Sequence, residues 1–166
     1  MSENPSNPVW RPRLIISGGQ TGVDQAGLRV GLELGIPIGG TAPLGFKTED
    51  RKIPRELRVF MKQAKTDDYP ERTRINVAES DATLLFIETP RRTASQGSRL
   101  TMDCCLDLGR PCLVRTVNDH ALDHLEQIHE WLAHLRPGIL NIAGSRASRA
   151  PKLAGRVRSI LLEVWG

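Results

Sequence analysis

A short apolar run, Leu14-Ile15-Ile16, passes directly into Ser17-Gly18-Gly19-Gln20-Thr21-Gly22, and apolar residues then recur at Val23, Ala26, Val30 and Leu34. Apolar residues three and four apart share one face of a helix. Gly35 stands where a helix commonly takes a left-handed closing residue. The segment therefore reads as strand, glycine-rich loop and helix, the opening of a βαβ unit. That opening constrains everything after it, because a strand so joined to a helix leads to a parallel neighbour.

The remaining pattern agrees. Ile36-Pro37-Ile38 suits a short second strand, and residues 39–54 read as a long irregular loop, which in a compact domain is usually functional or mobile. Residues 70–79 predict a helix. Residues 82–87 are apolar throughout, as in a strand covered on both faces. A loop over 88–97 leads to a helix from about Arg99 to Leu108, stopped by Gly109, and a strand over Cys112–Val117. Leu122, Leu125, Ile128, Leu132 and Leu135 make one helical face, residues 139–144 a last strand, and Leu153, Val157, Ile160, Leu161 and Val164 the face of a closing helix. Strands alternating with helices predict a single α/β domain over 13–166, with a mostly parallel, doubly wound sheet and helices on both faces. Residues 1–12, with prolines at 5, 8 and 12, read as a disordered tail.

Composition narrows the class. A length of 166 residues suits one domain, and 39% hydrophobic with 25% charged residues is ordinary for a globular chain. No apolar run approaches the ~18 residues of a membrane span. The first residues lack the apolar core of a secretory signal, and the three cysteines include no CxxC pair, so a reduced, cytoplasmic protein is expected. A net charge of +4 mildly favours anionic ligands. Aromatics at 4% leave few stacking platforms for single strands, so nucleic acid is a disfavoured partner.

In an open α/β sheet, ligands bind beyond the carboxyl ends of the strands, where the strand order reverses. Three loops qualify. In the first, Gly18, Gly19 and Gly22 let backbone N–H groups approach an anion at a helix N-terminus. Gln20 and Thr21 add side-chain donors, and Asp24 is placed to cap the helix. The spacing is neither GxGxxG nor a Walker A, and a bare strand-to-helix turn is the competing reading. The second loop offers Gly97 and Ser98, with Thr101 one turn on, although Ser98 also suits a plain N-cap. The third offers Ser145 and Arg146, whose guanidinium could fork onto a phosphate or stay solvated. Lys47 and Thr48 in the long loop, and Arg72, Thr73 and Asn76 in the next helix, either line the crevice or lie exposed. Asp119, His120, Asp123 and His124 have metal-ligand side chains, but a solvated helix face explains them better, and no structural metal is expected. Cys104, Cys105 and Cys112 read as small buried apolar residues. No nucleophile elbow is present.

Together these residues resemble a family. Ser17 to Gln25 resembles the opening signature of the molybdenum-cofactor carrier proteins. The likeness continues through Gly39-Gly40, Ala42-Pro43, Gly45, Thr48-Glu49-Asp50, Tyr69 to Thr73, Asn76-Val77, Ser80 to Thr83, Gly97-Ser98 and Leu140 to Arg146. It implies a Rossmann-like fold related to the lysine-decarboxylase-like, cytokinin-activating proteins. It also implies binding, protection and transfer of molybdenum cofactor (molybdopterin), a phosphorylated pterin, rather than catalysis. Homo-oligomers, often tetramers, and a molybdoenzyme acceptor are implied with it. The implied cleft residues are Gly18, Gly19, Gln20, Thr21, Gly22, Lys47, Thr48, Arg72, Thr73, Asn76, Gly97, Ser98 and Thr101, then Ser145 and Arg146. The related phosphoribohydrolases carry a PGGxGTxxE signature after a central strand, and residues 88–98 lack its double glycine and glutamate. Nucleoside-monophosphate hydrolysis or nucleotide sensing at the same cleft is the alternative expectation.

Overall fold

The structure, a computed structural model, describes residues 8–117 and 122–166. Strand β1 (Leu14–Ile16) leads into helix α1 (Val23–Leu34) and returns as β2 (Ile38–Gly39). Strand β3 (Thr41–Ala42), the short helix α2 (Arg55–Arg58) and β4 (Lys62–Gln63) follow. Helix α3 (Tyr69–Glu79), β5 (Ala82–Ile87), α4 (Gln96–Asp107) and β6 (Cys112–Thr116) come next. Helix α5 (Leu122–Leu135), β7 (Ile139–Gly144) and α6 (Leu153–Trp165) complete the chain.

The main sheet has five parallel strands in the order β2-β1-β7-β5-β6. Its two faces are read from alternate residues of β5. Leu84 and Phe86 join the large core under α1, α5 and α6 with Leu28, Ile128 and Leu161. Leu85 and Ile87 pack on the other side with Met102 of α4. Side chains alternate across a strand, so a run buried on both faces must be apolar at every position, as residues 82–87 are. The chain leaves β1 toward β2 and leaves β5 toward β6, in opposite directions. β7 lies between them, and the crevice opens above it.

The expected doubly wound α/β domain is therefore present. The long loop is more ordered than expected. β3 and β4 pair in parallel as a second, two-stranded sheet. Asn76 of α3 holds β3 by both amide atoms: its Oδ1 accepts from Thr41 N and its Nδ2 donates to Thr41 O, each at 2.8 Å. β3 and β4, at two residues each and inside a stretch of loop-like composition, show no periodicity from which the sequence would reveal them. Helix α4 begins at Gln96 rather than near Arg99, because Ser95 is its N-cap, accepting from Ser98 N at 3.2 Å.

At the N-terminus, residues 1–7 lie outside the described residues. From Trp10 onward the chain is held: the Trp10 indole donates to Pro137 O at 2.9 Å, and Trp165 donates its indole N–H to Trp10 O at 3.0 Å. Asp119, His120 and the side chain of Asp123 also lie outside the described residues. Among those described, no helix is long and apolar enough to cross a membrane.

Candidate functional site

Above the ends of β1 and β7 lies a cleft of about 60 Å³. The loop after β1, the first turns of α3, the N-terminus of α4 and the end of β7 enclose it. Small-molecule pockets usually run to roughly 300–1,000 Å³, so this cleft takes one polar end group of a ligand and not a whole one.

The first loop closes on itself. Gly19 N donates to Ser17 Oγ at 3.1 Å, Gln20 N to Asp24 Oδ2 at 3.2 Å, and Thr21 N to Gln20 Oε1 at 3.0 Å. Asp24 does not cap α1. Its carboxylate, 5% exposed, turns back onto the loop and meets Arg72 Nη1 at 2.9 Å. Burial pushes the Asp24 pKa up, against the pull of Arg72 and of the Gln20 and Gly144 N–H groups. Internal side chains, the Asp24 carboxylate among them, thus occupy the backbone donors of this loop that a bound anion would use. Glycine is required at position 18 because a Cβ there would stand 1.6 Å from Arg72 Nη1. It is required at 22 because φ is 88° and a Cβ would stand 2.5 Å from Ser145 O.

The N-terminus of α4 is different. Ser98 and Thr101 are 3% and 5% exposed and line the cleft, and a Cβ on Gly97 would meet nothing within 4 Å. The first-turn N–H groups of a helix have no partner within the helix, and the helix dipole makes that end positive.

Three polar atoms on cleft-lining residues are buried without a hydrogen-bond partner among the described residues: Gln20 Nε2, Arg72 Nε and Asn141 Oδ1. Gln20 is held in one orientation, because its Oε1 accepts from both Thr21 N and Glu49 N, the latter at 2.9 Å. Its amide nitrogen is therefore the end left over. A buried polar group without a partner costs about 1–3 kcal/mol, which a ligand supplying the partner would relieve.

At the rim stands Tyr69. The Lys47 ammonium lies 5.3 Å from its ring centre, and the Arg72 and Arg146 guanidinium groups lie 5.5 Å away. Each cation also has an acid nearby: Lys47 has Asp67 at 3.3 Å, and Arg146 has Glu49 at 3.9 Å. Burial works to raise the Glu49 pKa, but hydrogen bonds from Ser148 and Thr21 outweigh it, and the net shift is downward. Glu49 thereby joins the long loop to the loop after β7.

Of the residues proposed from sequence, the cleft brings together Gly18, Gln20, Arg72, Thr73, Asn76, Gly97, Ser98, Thr101 and Arg146. The others sit around it. Gly19 backs onto Ile53, and Thr21 Oγ1 donates to Glu49 and accepts from Ala147 N. Gly22 abuts Ser145, whose hydroxyl donates to Glu88. Lys47 stays at the rim, and Thr48 bonds Asp50 and Arg51 N within its own turn. Asp24, Ser95 and Asn141 line the cleft without having been singled out as ligand residues. Asn141 had a visible signal, as the lone polar residue in the apolar run 139–143.

Fold and cleft define a Rossmann-like α/β protein with a small polar cleft at the switch point of its parallel sheet. More particularly, the chain belongs to the circularly permutated YpsA SLOG family, which it matches over residues 15–165. Among solved structures it is similar to one named "Putative molybdenum carrier protein", from Syntrophus aciditrophicus SB. The two are 34% identical, the match covers 93% of this chain and 94% of the other, and the TM-score is 0.85. None of the curated proteins matches. The likeness to the molybdenum carrier family read from the sequence is thus borne out.

Proposed function

We propose that this protein binds molybdenum cofactor, or a similar phosphorylated pterin, and protects and passes it on without chemistry. The observation that carries the reading is the pair of buried, unpartnered donors, Gln20 Nε2 and Arg72 Nε, in a cleft at the N-terminus of α4. They suit an anionic end group such as a terminal phosphate. At about 60 Å³ the cleft fits that group and not the pterin, which would extend over the rim beside Tyr69. Cations at the rim would attract the rest of the anion. The molybdenum part of the proposal comes from the name of the structural relative. A cytoplasmic homo-oligomer, a tetramer, that hands its cargo to a molybdoenzyme is part of the same proposal.

The test is to mix the protein anaerobically with molybdenum cofactor, separate by gel filtration, oxidise each fraction and read pterin fluorescence. Stoichiometric pterin travelling with the protein, displaced by unlabelled cofactor, supports a carrier. Pterin running free of a folded protein sinks it.

A second reading is favoured by one observation: Asp24, a buried carboxylate with a raised pKa, faces Arg72 in the cleft. Perturbed carboxylates in clefts are candidate acid–base groups. Circular permutation rotates the order of elements, so a double glycine and an acid can stand after β1 (Gly18-Gly19 and Asp24) instead of after β5. Release of free base from nucleoside monophosphates, abolished in Asp24→Asn, would establish this hydrolase reading. Intact nucleotide after prolonged incubation would remove it.

A further inference from the structure

The cleft already holds one negative group of its own. Asp24 is the single acid among the described residues that line it, and Arg72 and Arg146 are the cations. The Asp24 carboxylate accepts from Gln20 N at 3.2 Å and from Arg72 Nη1 at 2.9 Å. The Asp24 and Arg72 side chains are buried, at 6% and 11% exposed. On the same guanidinium, Arg72 Nε is buried without a partner among the described residues, and so is Gln20 Nε2 beside it in the cleft lining. Guanidinium N–H groups lie in one plane in a fixed fork, so two acceptors can share a single cation. A ligand that satisfies Nε therefore sits on the guanidinium that already carries Asp24. That brings it within the roughly 4–6 Å over which one charge moves the ionisation of another.

The charges around Asp24 are few. Arg72 faces it from α3, and Arg146 lines the cleft from the loop after β7 with Glu49 at 3.9 Å. The cleft-lining residues at the start of α4, Ser95, Gly97, Ser98 and Thr101, carry no charge. At the rim, Lys47 is paired with Asp67, and Glu49 takes bonds from Thr21 and Ser148. On α1 itself, Arg29 and Glu33 are paired at the surface with Glu56 and Arg158. One guanidinium would thus serve two anions in a site largely closed to water. Where two acids share such a site, one of them takes a proton.

We infer that the cleft takes up a proton together with a doubly charged anion, and that Asp24 is the group that receives it. The inference rests on the anion-binding reading above and adds the regulation of that site by pH. Without a ligand, the carboxylate pairs with Arg72 and stands in for an anion. With one, solvent supplies a proton to Asp24, and the Arg72 charge passes to the ligand. The carboxyl changes from a competitor into a neutral neighbour able to donate, and no covalent bond of the ligand changes. Burial of Asp24 already works to raise its pKa, which eases that protonation. The bound state then carries more protons than the free state, so affinity falls as pH rises. A carrier built this way holds its anion in mildly acid solution and lets it go on a rise in pH, with the fold unchanged.

The test is calorimetric titration of the full chain with sulfate, which stays doubly ionised from pH 5 to 8, so that any proton taken up goes to the protein. Runs at pH 6 in Mes and in Bis-Tris, which differ in ionisation enthalpy, count the protons, and more than half a proton per sulfate is expected. Affinity should fall about five- to tenfold per pH unit over the range of uptake. In Asp24→Asn the uptake should all but vanish, the pH profile should flatten, and sulfate at pH 7.5 should bind more tightly than to the native protein. Damage to the fold would weaken binding and could not produce that gain. In the native chain, adding sulfate should bring up the infrared C=O band of a protonated carboxyl, a check that needs no variant. Sulfate binding with no proton uptake and a flat profile would overturn the inference and leave the anion-binding reading standing. Unchanged uptake in Asp24→Asn would overturn the role of Asp24. If sulfate does not bind, the inference falls; if inorganic phosphate fails as well, the reading beneath it falls too.

Discussion

Two glycine-bearing turns flank the cleft, and they use their backbones in opposite ways. In the turn after β1 the N–H groups of Gly19, Gln20 and Thr21 are taken by Ser17, Asp24 and Gln20 side chains. At the start of α4, Ser95 takes Ser98 N, and Gly97 adjoins open space. Glycine content shows where the backbone approaches something closely. It does not show whether that something is a ligand or the protein's own carboxylate. The richer signature belongs to the turn that is already filled.

Breaking the filled turn should have the largest effect. Arg72→Met leaves the Asp24 carboxylate buried without its cation, and the loss should be about 3–5 kcal/mol at pH 7.5 by urea unfolding. The pH dependence has a definite sign. A carboxylate whose folded pKa lies above its unfolded value binds protons more readily in the folded state, so stability rises as pH falls through that range. Removing Arg72 raises the Asp24 pKa further, and the penalty should therefore be smaller at pH 5 than at pH 7.5. A pH-independent penalty would mean that Asp24 is not the charge being exposed.

Emptying the filled turn should sharpen the contrast. Asp24→Asn keeps an acceptor for Gln20 N but releases Arg72. Inorganic phosphate should then bind about tenfold more tightly, in line with about 1.5–3 kcal/mol for a hydrogen bond to a charged group. Weaker binding would show that Asp24 supports the ligand and does not compete with it. Uncapping the open turn comes next. Ser95→Ala should cost about 1 kcal/mol of stability and weaken phosphate binding, since the α4 N-terminus loses its fixed start. The smallest effect is expected at the rim. Lys47→Ala should leave stability within about 0.5 kcal/mol and reduce affinity two- to threefold at low salt, with the difference fading at high salt.

Much of the architecture was legible in the sequence, for a physical reason. Strands buried on both faces must be apolar at each position, and helices covering a sheet must be striped, so β5, β7, α5 and α6 appear directly in the text. The small β3–β4 sheet does not, because two-residue strands rest on Asn76 and not on a pattern. The site was legible only in part. Gly18, Gln20 and Ser98 were identified from loops after strands and Arg72 from a helix face, and the topology brings them together. The Asp24–Arg72 pair was not, since its members lie 48 positions apart and nothing local marks them as partners. Asn141 was visible as the lone polar residue of an apolar run but was not singled out as a ligand residue, although a polar group buried in such a strand demands a partner.

The bond from the Trp165 indole to the Trp10 carbonyl has a further consequence. Since Trp165 bonds to the backbone of Trp10, the two ends of the folded body meet at one point on its surface. A short peptide could bridge them, and the ring so closed could be cut at an exposed turn, such as residues 65–68, without changing any strand's neighbours. Where the chain starts is then a matter of genetic punctuation, and the cleft is a property of the closed loop of strands rather than of its reading order.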